Sequence, residues 1–106
     1  MAPTTRTYKI GYARVSTLGQ KLDAQLDILD QVGCDKTFTD HGSGTTALRP
    51  GWEQFLIYVR PGDSVVITEL SRMSRSLAHL LEVVRTFEQQ EIALVSLREH
   101  IRHYRK

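Results

Sequence analysis

The fold is decided by the stretch from Ser64 to Leu70, which reads SVVITEL. Its centre, Val65–Ile67, consists of three consecutive branched apolar residues, and the turn-forming triplet Pro61–Asp63 precedes it. A short, continuous apolar run bounded by turn residues is typical of a strand that is buried on both faces of a parallel sheet. The stretch therefore predicts a central parallel strand.

Helical and strand-like patterns alternate on both sides of this stretch. Strands are predicted over Tyr8–Val15, Lys36–Asp40 and Ile92–Leu97, and amphipathic helices over Gln20–Val32, Pro50–Val59 and Leu77–Phe87. Regular alternation of strands and helices favours parallel pairing with helical crossovers. We therefore expect an α/β fold with an open, mostly parallel sheet of about four strands and helices packed on both faces. The 106 residues fit a single domain.

The composition excludes several classes of protein. Fourteen basic and 12 acidic residues give a net charge of +2, far from the balance of a protein that coats nucleic acid, so polyanion affinity must come from where the arginines lie. A lone cysteine, Cys34, excludes an internal disulfide, and the four histidines are not spaced as a metal site. We expect no metal.

No part of the sequence resembles a targeting or membrane segment. Met1–Thr7 is short and polar, and no apolar run approaches the roughly 20 residues that a membrane span needs. We expect a cytoplasmic protein with no membrane partner.

Arginine and serine side chains follow three of the predicted strands. They are Arg14 and Ser16 after the first strand, Ser43 and Arg49 after the second, and Arg72 and Arg75 after the third. The carboxyl ends of parallel strands meet at one edge of a sheet, where ligands bind. Guanidinium groups donate paired hydrogen bonds to phosphate and can stabilise the charge that develops when a serine attacks it. This pattern predicts a phosphate site.

Each of these residues also has a simpler interpretation. Ser16 can cap the helix that follows it, and Arg72 and Arg75 can be solvated surface charges. In the phosphate-site interpretation, the spacing of Arg72 and Arg75 places both on one helical face.

Three motifs together resemble the resolvase and invertase family of serine recombinases. They are Tyr12–Thr17 (YARVST) followed by Gln20 and Gln25, Thr39–Gly44 (TDHGSG) leading to Arg49, and Leu70–Ser76 (LSRMSRS), which is expected to open the last long helix. They occur in the order that the family requires and cover nearly the whole chain.

The resemblance implies a mechanism and a set of site residues. Ser16 would attack a DNA phosphodiester, form a phosphoserine link to the 5′ end and release a 3′ hydroxyl, without a metal or nucleotide cofactor. The surrounding residues implied by the resemblance are Arg14, Arg49, Arg72 and Arg75 around the phosphate, with Tyr12, Gln20, Gln25 and Ser43 in support. The partner would be DNA, with the chain acting as a homodimer or tetramer when engaged on it.

The sequence departs from the family pattern at Ser71, where many relatives have an aspartate that is a candidate proton donor. Ser71 can still donate a hydrogen bond, and Glu69, two residues away on a strand, would face the same side. We expect cleavage to be reduced but not abolished.

The second departure is length. Relatives normally continue into a long dimerisation helix and a helix-turn-helix domain, so we expect residues 1–106 to correspond to the catalytic domain without these two parts. The basic stretch Arg98–Lys106 can contact phosphates, but we expect a frayed tail. Two alternatives to a catalytic domain are a non-catalytic module that pairs with a full-length recombinase and a flavodoxin-like domain that binds a small phosphate ligand.

Overall fold

The computed structural model describes residues 7–15, 20–41, 49–74 and 76–103, apart from the side chains of residues 20, 21 and 103. Ser16, Ser43 and Arg75 lie outside the described residues, as does the Gln20 side chain. The described strands are β1 (Lys9–Val15), β2 (Lys36–His41), β3 (Ser64–Ile67), β4 (Ala93–Ser96) and β5 (Ile101–His103). The helices are α1 (Gln20–Gln31), α2 (Pro50–Tyr58) and α3 (Leu77–Gln89), with a short 3-10 helix at Leu70–Arg72.

The strands form one sheet in the order β2-β1-β3-β4-β5. The first four are parallel, and β5 runs antiparallel to β4 at the edge. In the register of the sheet, Tyr12 lies opposite Phe38 on one side and Ile67 on the other. The prediction of an open, mostly parallel sheet is confirmed, and β5 adds a fifth strand to the expected four.

Helices cover both faces of the sheet, as predicted. Alternate residues of a strand face opposite sides, so Tyr12 packs with Phe55 of α2 and Phe87 of α3, while Ala13 packs with Leu29 of α1. Burying an aromatic side chain such as Phe55 contributes about 2–3 kcal/mol. The larger core therefore lies under α2 and α3, on the face of the sheet that carries Tyr12.

The segment after β3 differs from the prediction. The strand ends at Ile67 rather than Leu70, and Leu70–Arg72 forms a separate 3-10 helix. Helix α3 begins only at Leu77, where the Ser76 hydroxyl accepts a hydrogen bond from the His79 N–H. Arg72 is therefore not on the last long helix. The prediction that this helix carries Arg72 on the same face as Arg75 is wrong, because Arg72 belongs to the separate 3-10 helix. The physical reason is that Met73 is fully buried and anchors the chain between the two helices.

The expectation of a frayed tail is wrong for part of the basic stretch. Ile101–His103 form β5, with Ile101 opposite Ser96 and Arg102 opposite Val95. A tight turn makes this pairing possible, because His100 adopts a positive φ of 57° and reverses the chain. Among the described residues, no helix is both long and apolar enough to cross a membrane.

Candidate active site

A buried carboxylate joins β1, β2 and the start of α2. Asp40, which is 5% exposed, accepts a 2.6 Å hydrogen bond from the Tyr12 hydroxyl. The backbone N–H groups of Gly51 and Trp52 also donate to it, each at 2.8 Å. These N–H groups belong to the first turn of α2, where unpaired donors and the helix dipole favour a negative charge. Asp40 therefore fixes the start of α2 against the end of β2.

The close approach of α2 to β2 requires glycine at position 51. A Cβ atom added to Gly51 would lie 2.1 Å from the Thr39 carbonyl oxygen, far inside van der Waals contact. The two backbones therefore touch at this point. Because Arg49 is the residue that precedes α2, this contact also sets the position of Arg49 relative to β1.

Arg49 connects the Tyr12 and Trp52 rings to the segment that follows β3. Its Nη2 atom donates to the Tyr12 hydroxyl at 3.1 Å and to the Met73 carbonyl at 2.9 Å. Its guanidinium carbon lies 4.8 Å from the centre of the Trp52 ring and 5.4 Å from that of Tyr12. Cation–π contact and hydrogen bonds together hold this guanidinium in one orientation.

Arg14 reaches the same segment from the end of β1. Its Nε atom donates to the Arg72 carbonyl at 3.2 Å, and its Nη2 atom donates to the Ser71 carbonyl at 2.8 Å. Gln25 of α1 is buried and donates through Nε2 to the Arg14 carbonyl at 3.2 Å. The carbonyl groups of Ser71–Met73 thus accept hydrogen bonds from two guanidinium groups that come from distant parts of the chain.

The side chains of the 3-10 helix are held by a carboxylate just before it. Ser71 Oγ donates to Glu69 Oε2 at 3.0 Å, and Arg72 Nε lies 3.2 Å from the same oxygen. A hydrogen bond from Arg98 lowers the pKa of Glu69, with smaller contributions from Ser71 and Arg72. Ser71 and Glu69 are hydrogen-bonded, but neither lies on a strand, so the expectation that strand geometry places them on one side is wrong.

The protonation state of Tyr12 follows from its surroundings. Burial raises the pKa of Tyr12 well above its ordinary value, and the hydrogen bond to Asp40 raises it further, outweighing the opposite effect of Arg49. The phenol therefore stays protonated at physiological pH. It donates its proton to Asp40 while its oxygen accepts from Arg49.

The structure brings together six of the site residues predicted from the sequence. They are Tyr12, Arg14, Gln25, Arg49, Ser71 and Arg72. Ser16 follows directly after the last residue of β1, but its own placement, like that of Ser43, Arg75 and the Gln20 side chain, lies outside the described residues.

The sequence interpretation missed the role of Asp40 and Trp52. Asp40 appeared only as the end of a predicted strand and a member of the second motif, and Trp52 only as one residue within the predicted helix Pro50–Val59. The signal that could have found them is an acidic residue at a strand end, followed after a loop by Arg49-Pro50-Gly51-Trp52. A helix start that carries no Ser, Thr, Asn or Asp cap of its own needs an acceptor from elsewhere.

No other chemistry is suggested by the described part of the chain. In it, no group of three or more His, Cys, Asp or Glu side chains could hold a metal ion. His79 Nδ1 and Ser74 Oγ are hydrogen-bonded at 2.7 Å, an interaction that links the start of α3 to the segment before it. Burial raises the pKa of the Cys34 thiol to about 11, which lowers the fraction of thiolate at neutral pH.

Comparison with known proteins identifies the relatives of this chain. The family model described as "Resolvase, N terminal domain" matches residues 9–106. The chain is 43% identical over 93 residues to the transposon Tn552 DNA-invertase BinR of Staphylococcus aureus, covering 88% of this chain and 48% of that protein. It is 42% identical over 91 residues to the transposon Tn917 resolvase of Enterococcus faecalis, covering 86% and 50%. The chain thus spans about half the length of these curated relatives.

Solved structures show the same fold. A serine recombinase from Sulfolobus solfataricus aligns with a TM-score of 0.68 at 29% identity, covering 87% of this chain and 69% of that one. A resolvase family site-specific recombinase from Streptococcus pneumoniae aligns with a TM-score of 0.73, covering 92% and 76%, and at 19% identity it supports the fold alone.

Proposed function

Because this chain belongs to the resolvase N-terminal domain family, we propose that it is the catalytic domain of a serine recombinase that cleaves and rejoins DNA. The nucleophile is Ser16, whose hydroxyl oxygen attacks the phosphorus of a phosphodiester. The bond from phosphorus to the 3′ oxygen breaks, the serine gives up its proton, and the 3′ oxygen takes one. The product is a phosphoserine link to the 5′ end, and the reverse reaction rejoins the strand.

One observation carries this proposal. The guanidinium groups of Arg14 and Arg49, from separate segments, converge on the carbonyl group of Arg72 beside the end of β1, and Ser16 is the next residue after β1. Prearranged positive donors need no reorganisation when charge develops on the phosphate oxygens. Each such donor in a dry site is worth roughly 3 kcal/mol of barrier.

Aromatic contacts keep this arrangement in place. The Arg49 guanidinium lies against the Tyr12 and Trp52 rings and hydrogen-bonds through Nε and Nη2, while its Nη1 atom has no hydrogen-bond partner among the described residues. That nitrogen is available to a phosphate oxygen. Arg75 is a further proposed contact, and Gln20 and Ser43 are proposed to support the nucleophile, on the family resemblance alone.

DNA is the proposed partner, and we propose that two or four copies act together when engaged on it. The relatives are named as a transposon DNA-invertase, a transposon resolvase and a serine recombinase of a phage. A chain with a net charge of +2 has little general attraction for DNA. Efficient cleavage is therefore expected only when the domain is delivered to its site.

Trapping the covalent intermediate tests the proposal. The chain is fused at its carboxyl end to a DNA-binding domain of known target and incubated with a nicked duplex that carries two target sites. A band that survives denaturation, with DNA mapped to Ser16 by mass spectrometry, is the expected result. The adduct should form in the presence of a metal chelator. It should disappear with Ser16→Ala but persist with Ser64→Ala, because Ser64 begins β3 at the edge of the sheet away from the proposed site. An adduct that persists without the Ser16 hydroxyl would exclude this nucleophile.

A further inference from the structure

The carboxylate of Glu69 contacts side chains from two separate segments. Oε2 accepts from Ser71 Oγ at 3.0 Å and lies 3.2 Å from Arg72 Nε, while Oε1 accepts from Arg98 Nη1 at 2.6 Å. The Glu69 side chain is only 17% exposed. Both of its oxygens are therefore engaged, one with the 3-10 helix and one with the turn before β5.

Arg72 depends on this carboxylate for its orientation. Its Nε atom is buried and has no hydrogen-bond acceptor among the described residues, so the Glu69 oxygen balances it as an ion pair rather than through a well-aligned hydrogen bond. No described residue hydrogen-bonds to the two terminal nitrogens of Arg72, and the side chain is 28% exposed. A guanidinium held at Nε keeps its terminal nitrogens for the paired contact that suits a phosphate.

The backbone of the same segment is held independently. Arg14 Nη2 donates to the Ser71 carbonyl at 2.8 Å, and Arg49 Nη2 donates to the Met73 carbonyl at 2.9 Å. Two arginines thus fix the main chain of the segment, and Glu69 fixes its polar side chains. Removal of the Glu69 charge would leave the main-chain contacts in place.

We propose that Glu69 is a positioning residue for phosphoryl transfer, which holds the Arg72 guanidinium and the Ser71 hydroxyl in the orientation that receives the scissile phosphate. The inference rests on the proposed function. Glu69 acts through these two neighbours and does not touch the phosphate, because a carboxylate and a phosphate repel each other.

Glu99 offers a matched control, because it also lies where the turn before β5 meets the 3-10 helix. Its carboxylate accepts from the Leu70 N–H at 3.3 Å and from Ser96 Oγ, so it also ties the turn before β5 to the 3-10 helix. No described contact joins it to Ser71 or Arg72. Glu99→Gln therefore weakens the contact between the turn and the 3-10 helix without releasing the Arg72 side chain.

The first measurement reports the position of Arg72 without any reaction. The Nε–H signal of Arg72, assigned by its loss in Arg72→Lys, is followed by ¹⁵N NMR in the wild-type chain, Glu69→Gln and Glu99→Gln. We expect Glu69→Gln to shift this signal and to speed its exchange with water about tenfold or more, because the buried N–H loses its anionic partner. Glu99→Gln should leave it unchanged. An Arg72 signal that is identical in wild type and Glu69→Gln would overturn the proposal.

The second measurement uses the adduct assay at saturating substrate. Glu69→Gln should slow adduct formation about tenfold in the otherwise wild-type chain, the loss expected when one charged contact to an acting group is removed. In an Arg72→Lys background, which already lacks Nε, only the Ser71 contact remains to be lost, and the same change should slow the reaction by about threefold or less. Equal slowing in both backgrounds would show that Glu69 does not act through Arg72 and would overturn the inference.

The two measurements separate this inference from the function on which it rests. If the wild-type chain forms no Ser16 adduct, the proposed function fails while the NMR comparison still decides whether Glu69 positions Arg72. If the adduct forms and Glu69→Gln matches Glu99→Gln in rate and spectrum, only the role of Glu69 is rejected.

Discussion

The Tyr12 hydroxyl lies 2.6 Å from Asp40 Oδ2, although the two residues are not opposite each other in the sheet. Tyr12 pairs with Phe38, and Asp40 lies two residues further along β2, on the same face. The diagonal hydrogen bond links the centre of β1 to the carboxylate that holds the start of α2. Arg49 donates to the same hydroxyl. Its position therefore depends on β1, on the start of α2 and on the buried Asp40 carboxylate that joins them.

Replacing Tyr12 with phenylalanine should destabilise the fold and loosen Arg49. Asp40 would keep its two backbone donors but lose the phenol, and we expect a loss of about 1–3 kcal/mol in the free energy of unfolding. Urea denaturation measures it. Tyr58→Phe is the control, because that ring is 45% exposed and its hydroxyl has no hydrogen-bond partner among the described residues. Equal effects of the two changes would argue against the buried link.

Replacing Gly51 with alanine should separate α2 from β2. The added methyl group would overlap the Thr39 carbonyl, and overpacking against backbone costs about 1–3 kcal/mol or more. Thermal unfolding compares it with Gln54→Ala on the exposed side of the same helix, which should change stability by less than about 0.5 kcal/mol. A Gly51→Ala protein as stable as that control would show that the backbones can move apart freely.

Introducing aspartate at position 71 should accelerate cleavage. Ser71 Oγ lies 3.0 Å from Glu69 Oε2, so an aspartate at position 71 would place a second carboxylate beside that of Glu69. Adjacent like charges raise one carboxyl pKa, which favours a proton donor for the leaving 3′ oxygen. Adduct formation by Ser71→Asp should exceed that of the wild-type chain, with Ser71→Asn as the uncharged control. An aspartate variant that cleaves no faster would count against a missing acid.

The contribution of Glu69 to stability should depend on pH. The hydrogen bond from Arg98, and the smaller effects of Ser71 and Arg72, lower the pKa of Glu69 in the folded chain from an ordinary value of 4.5. A lowered folded pKa means stabilisation that is present above pH 4.5 and is lost as the pH falls through the folded value. The difference in unfolding free energy between wild type and Glu69→Gln should therefore shrink in acid. A difference that stays constant from neutral pH to about pH 3 would contradict this.

The Cys34 thiol should react slowly in the folded chain. Burial, the largest cause, raises its pKa to about 11 and outweighs the opposing effect of Lys9, so the thiolate fraction at pH 8 is roughly a hundredfold below that of an ordinary cysteine. The rate of modification by a disulfide reagent should rise by a similar factor in urea. Comparable rates in the folded and unfolded chain would show that the thiol is open to solvent and unperturbed.

The sheet was predictable because its signals are local. Val65–Ile67 form an unbroken apolar run that, with the turn residues before it, is typical of a strand covered on both faces, and the apolar residues around Leu80 and Phe87 repeat at the period of a helix. The ends of the strands and the edge strand β5 were predicted less accurately. β5 was missed because a three-residue edge strand rich in basic residues has no apolar pattern, and its pairing with β4 depends on a turn at His100.

The sequence by itself determined the order of the first four strands and the three helices, the edge of the sheet where the arginines were expected, and the family resemblance, because each depends on residue types and spacing along the chain. Only the tertiary structure decided how the arginines are held. Asp40 meets Tyr12, and Glu69 meets Arg98, across 28 and 29 positions of sequence, respectively. Such contacts depend on register and on the path of the chain after β3, which local patterns do not encode.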